Sequence, residues 1–132
     1  MQIQQVFSTA EEIAVYKDGE SEIYKSGSQQ FEQISARWDA MLEGSLAMPA
    51  FGVSLDEYTS KAMKKGVWLE FCFASQQTVD EMPFEKLLVE VKPEYGGFNV
   101  NRYNCGSGYA GRCYYIDLHG KTMEEMYNFL VK

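Results

Sequence analysis

Residues 67–73 read VWLEFCF, and the parsing of this stretch decides the fold. Side chains of a strand alternate between faces, so Val67, Leu69, Phe71 and Phe73 point one way and Trp68, Glu70 and Cys72 the other. Three later stretches have the same character: KLLVEVK (86–92), FNVNRYNC (98–105) and RCYYIDL (112–118). The second and third are joined by Pro93-Glu94-Tyr95-Gly96-Gly97, and the third and fourth by Gly106-Ser107-Gly108-Tyr109-Ala110-Gly111. A polar stretch with Asp80-Glu81 and Pro83 links the first two. Sequential strands with short links pair as an antiparallel meander.

Upstream, Glu12–Tyr16 and Glu22–Lys25 flank Lys17-Asp18-Gly19-Glu20, and Asp-Gly between two such runs signals a hairpin. Ile3 to Phe7 reads as a further strand. Ser28 opens a helix on which Phe31, Ile34, Trp38, Met41 and Leu42 share one face, and Gly44 closes it. The link Leu46 to Gly52, with Pro49, reads as a packed loop. A second helix is expected from a capping box at Ser54-Leu55-Asp56-Glu57 to Lys65, stopping at Gly66. A third is expected from a box at Thr122-Met123-Glu124-Glu125, with Met123, Met126, Tyr127 and Leu130 on one side. The order is β-β-α-α-β-β-β-β-α: an α+β fold, one domain over residues 1–132, with three helices mainly on one face of a mostly antiparallel sheet.

At 132 residues, with 45% apolar and 14% aromatic residues, the chain supplies a core without a metal or disulfide staple. Its 19 acids against 12 Lys and Arg give a net charge of −7, which repels phosphate backbones and anionic headgroups and argues against nucleic-acid and membrane partners. Lys61, Lys64 and Lys65 are the nearest thing to a basic patch, and the last turn of a helix explains them. No apolar run nears the ~20 residues of a membrane span. The start MQIQQVFSTAEE lacks a signal-peptide pattern, so a cytoplasmic location and three free thiols are expected.

The two faces of the sheet differ in kind. One gathers Val67, Leu69, Phe71, Leu87, Val89, Val91, Phe98, Val100, Tyr114, Ile116 and Leu118, a core. The other gathers Trp68, Glu70, Cys72, Leu88, Glu90, Asn99, Asn101, Tyr103, Cys113, Tyr115, Asp117 and His119, a set too aromatic and too rich in Asn for plain solvent surface. Trp and Tyr combine apolar area with a polar tip, as recognition surfaces do. Trp68, Glu70, Asn99, Asn101, Tyr103, Tyr115, Asp117 and His119 are therefore the candidate binding residues. The plainer reading is a face half-covered by the N-terminal hairpin or by a second copy of the chain.

No catalytic motif stands out. His119 follows Asp117 by two residues, which places both on one strand face and would let the acid tune a base, but a surface histidine before Gly120 is the favoured reading. Cys105, Cys113 and His119 match no zinc spacing. Cys105 and Cys113 flank the Gly-rich loop and could face each other across a hairpin; Cys72 reads as a small buried hydrophobe. That loop leads into a strand and lacks the lysine of a phosphate loop. Arg102 and Arg112 could hold a carboxylate or pair with Glu70, Glu90 or Asp117. The expectation is a non-catalytic binding module for a small molecule or a protein, including a homodimer, without cofactor or metal. The alternative is a small enzyme using Glu70, Asp117 and His119.

Overall fold

The computed structural model describes residues 2–48 and 52–132. Its elements are, in order, α1 (Ile3–Val6), β1 (Glu12–Lys17), β2 (Glu20–Lys25), α2 (Gln29–Leu42), β3 (Leu46–Met48), β4 (Val53–Ser54), α3 (Asp56–Ala62), β5 (Val67–Val79), β6 (Met82–Val91), β7 (Gly97–Tyr103), β8 (Gly111–Arg112), β9 (Tyr114–Asp117) and α4 (Glu124–Val131). The main sheet runs β2-β1-β5-β6-β7-β9-β3, and β4 pairs separately with β8. Every strand pair is antiparallel, so the α+β class stands.

Two hairpins set this order. Asp18 and Gly19 both have positive φ, 49° and 89°, as a two-residue type I′ turn requires. β1 then lies against β5 as well as β2, which adds the N-terminal hairpin to the meander. The second hairpin corrects the polar link expected between β5 and β6. Most of it is strand, with the turn confined to Asp80 and Glu81 at φ 52° and 66°. Ser75, Gln76 and Thr78 are exposed and the register shifts between Cys72 and Gln77, so the alternation is weak in the sequence here, while Val79 and Phe84 anchor the end of the hairpin in the core.

Four other expectations are revised. Ile3 to Phe7 is not a strand: Ile3, Val6 and Phe7 are spaced as one helical face, and all three are buried under α1 and the 3₁₀ turn that follows it. Leu46 to Met48 is not loop but an edge strand on β9, while Pro49 lies outside the described residues. Ser54 does not cap α3, whose N-cap is Leu55, because its hydroxyl donates to the carbonyl of Tyr109 at 2.7 Å. Thr122 does not open α4. That helix begins at Glu124, whose N–H donates to Thr122 Oγ1.

Three helices cover one face of the sheet, though not the three expected. α1, α2 and α4 bury their apolar sides there, and α3 goes to the opposite face. Ser28 caps α2 by accepting the Phe31 N–H, and Phe31, Ile34, Trp38, Met41 and Leu42 are buried as the periodicity predicts. Trp38 is the hub: its ring centroid lies 5.3 Å from Phe7, 5.1 Å from Phe71 and 5.6 Å from Phe98. Its Nε1–H has no acceptor among the described residues. No described helix is long and apolar enough to cross a membrane.

Trp38→Ala should therefore cost about 3–5 kcal/mol in urea unfolding, the range for emptying a packed aromatic site. Trp38→Phe should cost clearly less, since it leaves much of the ring volume and removes an N–H that makes no bond.

Candidate functional site

The second face of the sheet is roofed by two segments far apart in sequence. The β7–β9 connection is pinned to the entry of α3: β4 pairs with β8, Ser54 Oγ donates to Tyr109 O, and the Asp56 carboxylate accepts the Tyr109 N–H at 2.8 Å. A Cβ on Gly108, which has φ 68°, would run into that same carboxylate, so the close approach depends on glycine. The Gly-rich loop is thus a docking strap, neither a phosphate cradle nor a free hairpin tip.

Beneath the strap sits Glu70, only 2% exposed. Tyr16 donates its phenol to Glu70 Oε1 at 3.0 Å, and Tyr109 donates to Oε2 in a very short bond. A buried carboxylate is tolerated only when its oxygens are satisfied, and two phenols do this without a cation. Burial, followed by the Glu70 charge, pushes the titration of both tyrosines well above the usual 10.0. The same two causes lift the Cys72 thiol, half-buried beside them, to about 11. The Tyr103 ring meets the Tyr109 ring at a tilt of 59° with centroids 4.9 Å apart, and the Lys86 ammonium lies 5.0 Å from the Tyr103 ring centroid.

Beside this cluster α3 arches over a cavity of about 380 Å³. Trp68, Met63 and Leu88 pack together at its inner side, and the Trp68 Nε1–H is satisfied by Lys65 O at 2.8 Å. Polar groups come from β7 (Asn99 and Asn101), from Tyr115 on β9, and from Glu90 and Tyr95. Trp68 and Glu90 are direct cross-strand partners, and the Tyr95 phenol donates to Glu90 Oε1 at 3.0 Å. Burial and Glu90 raise that phenol to about 12. Asn101 Oδ1 accepts the Cys113 thiol at 3.1 Å. Val53, Leu55 and Tyr58, all exposed, form an apolar rim.

Of the eight candidate residues, Trp68, Asn99, Asn101 and Tyr115 meet in this cavity. Glu70 and Tyr103 belong to the neighbouring cluster under the strap. Asp117 and His119 join neither: Asp117 Oδ1 accepts the backbone N–H of His119, and His119 is an exposed turn residue at φ 54°. The arginines do not hold a carboxylate as a pair. Arg102 lies on the core side, where Nε and Nη1 donate to the carbonyls of Arg112 and Pro83 at 2.8 and 2.7 Å. Cys105 is exposed and Cys113 buried, both as thiols.

Sequence reasoning did not select Glu90, Tyr95, Tyr58 or Gly97. Glu90 shares the alternation of Trp68's face and was legible as such, but Tyr95 and Tyr58 reach the cavity from a turn and a helix. Gly97 matters because a Cβ there would strike the Tyr115 phenol lying over it. A second cavity of about 430 Å³ opens between α2 and α4, lined by Arg37, Lys121 and Glu125. Its cations are committed: Lys121 donates to the last carbonyls of α2, at Ala40 and Glu43, and Arg37 stacks on Phe129.

Among the described residues no group of three or more His, Cys, Asp or Glu is placed to hold a metal ion. Compared with protein-family profiles, curated protein sequences and solved structures, the chain shows no significant match.

Two outcomes follow from the strap. Tyr109→Phe strips one donor from a buried carboxylate and should destabilise the fold by about 1–3 kcal/mol in chemical denaturation. The second concerns pH. The phenols of Tyr16, Tyr95, Tyr109 and Tyr114 hold their protons to higher pH in the folded chain than in the unfolded one, so deprotonation pulls the equilibrium toward the unfolded state. Stability is undiminished on this account below the unfolded value near 10 and is lost as pH rises through their folded values. Phenolate absorbance should accordingly show a fraction of tyrosines ionising only together with alkaline unfolding. Ionisation of all tyrosines in the still-folded protein near the usual value would contradict this.

Proposed function

We propose that the chain is a binding module that receives a small organic ligand in the cavity between α3 and the second face of the sheet. One observation carries this reading: Trp68, Asn99, Asn101, Glu90 and Tyr115 converge on a single concave volume of about 380 Å³. Ligand sites commonly occupy roughly 300–1,000 Å³, with apolar walls and a few placed polar groups. The cavity has both. Its walls include Trp68, Ala62 and the rim of Val53, Leu55 and Tyr58, and its polar groups include the carboxamides of Asn99 and Asn101, the Glu90 carboxylate and the phenols of Tyr95 and Tyr115.

Binding is favoured over catalysis by where the acid–base candidates lie. Glu70 is sealed under two phenols, the Asp117 carboxylate is spent on its own turn, and neither they nor His119 line the cavity. What does line it can orient a guest by hydrogen bonds and bury it against an indole.

The test uses the two tryptophans as reporter and control. In protein labelled with ¹⁵N, titration with a library of small polar-aromatic and aliphatic fragments should shift the Trp68 indole and the Asn99 and Asn101 carboxamides. The Trp38 indole, on the opposite face, should stay still. Asn99→Ala, at an exposed position, should change stability by no more than about 0.5 kcal/mol while weakening the hits. Gly97→Ala should displace Tyr115 and weaken them as well. A library that shifts only residues outside the cavity would refute the reading.

A further inference from the structure

We infer, resting on the binding reading above, that the ligand of this cavity is an organic cation: an amine or quaternary ammonium with a compact apolar body. The lining is one-sided in charge. Among the described residues Glu90 is its one ionic side chain, and no Lys or Arg belongs to the lining. Aromatic rings surround the same volume, with Trp68, Tyr58, Tyr95 and Tyr115 all part of the lining. The faces of aromatic rings carry partial negative charge and attract ammonium groups, most strongly where water is excluded. A carboxylate beside an indole, with phenols around both, selects for positive charge and against negative charge.

The carboxylate and the indole address one spot. Trp68 and Glu90 face each other across β5 and β6. A Cβ placed on Gly66 would lie 3.8 Å from both Glu90 Oε2 and Trp68 Nε1, which puts the two groups at the edge of the same small space. Glu90 Oε1 is oriented by the Tyr95 phenol, so the carboxylate is held in place before any guest arrives. Its other oxygen pairs with the Lys92 ammonium at 3.8 Å, in a contact whose lysine is nearly half exposed. Such a pair is weak and gives way to a better-buried cation. Lys92 also lies 5.8 Å from the Tyr95 ring, so the protein's own ammonium already samples the carboxylate-and-ring environment offered to a ligand. The net charge of −7 raises the local concentration of any cation approaching the mouth.

Three probes of nearly equal shape separate charge from fit: choline, its neutral isostere 3,3-dimethylbutan-1-ol, and the anion 3,3-dimethylbutanoate. Each is titrated into the full ¹⁵N-labelled chain, following the Trp68 indole and the Asn99 and Asn101 carboxamides. Choline should bind about tenfold more tightly than the neutral isostere, and the anion should not bind. Glu90→Gln, which still accepts the Tyr95 hydrogen bond, should bring choline down to the affinity of the neutral probe without altering the latter. Lys92→Met should tighten choline by removing its competitor. Equal binding of choline and its isostere, or tighter binding of the anion, would overturn the cation assignment and leave the cavity reading intact. Absence of cavity shifts with all three probes, together with a fragment library that also misses the cavity, would overturn both.

Discussion

A carboxylate shut away from water has to find hydrogen-bond donors, and much of this molecule's second face is arranged around how Glu70 finds them. It lies in the middle of β5, with apolar Ala14 and Leu88 as its cross-strand neighbours and no cation bonded to it. Tyr16 comes from the adjacent strand, but Tyr109 has to come from the far side of the sheet on the long β7–β9 connection. Bringing it there folds the Gly-rich strap onto the face. The strap then offers Tyr109 N–H and C=O to Asp56 and Ser54, which fixes the start of α3. α3 in turn roofs the cavity. One satisfied acid, one strap and one helix form a chain of dependence, and buried polar groups of this kind specify structure because the cost of leaving them unmet is high.

That arrangement divides the face into two regions with different chemistry. Under the strap the groups engage one another: Glu70 accepts from two phenols, and the Tyr103 ring meets the Tyr109 ring and the Lys86 ammonium. Under α3 they are only partly engaged, and Asn99 and the outer oxygen of Glu90 still face an open volume. In the first region the hydrogen bonds are made within the protein, between one buried acid and two phenols. The second is the region to which the proposed ligand is assigned. Its aromatic walls and single carboxylate make charge, rather than shape alone, the natural basis of selection.

Much of the fold was legible in order. The meander, the Asp-Gly hairpin, α2 with its Ser28 cap and buried face, and the division of the sheet into an apolar and a mixed face all follow from local pattern, since alternation and helical periodicity are written residue by residue. Trp68, Asn99, Asn101 and Tyr115 were on the right face for the same reason. The errors fall where local pattern is silent or ambiguous. Ile3, Val6 and Phe7 sit on a segment too short for its period to declare itself. The outer half of β5 carries exposed polar residues around a register shift, so its alternation is broken before Val79 returns to the core. The three residues of β3 become a strand only because β9 has a free edge.

The sequence by itself determined two sheet faces, because the direction of a strand side chain is set by its parity alone. It did not determine which segments would lie on the second face. Ser54 looked like a helix cap, since its local partners are the first N–H groups of α3, yet a carbonyl 55 residues away takes its hydroxyl. Glu70 read as a binding or acid–base group on the second face and is buried, because phenols 54 and 39 residues distant satisfy it. Tertiary structure alone decided where α3 sits, and with it the cavity, because hydrogen bonds between residues so far apart leave no periodic trace in the chain.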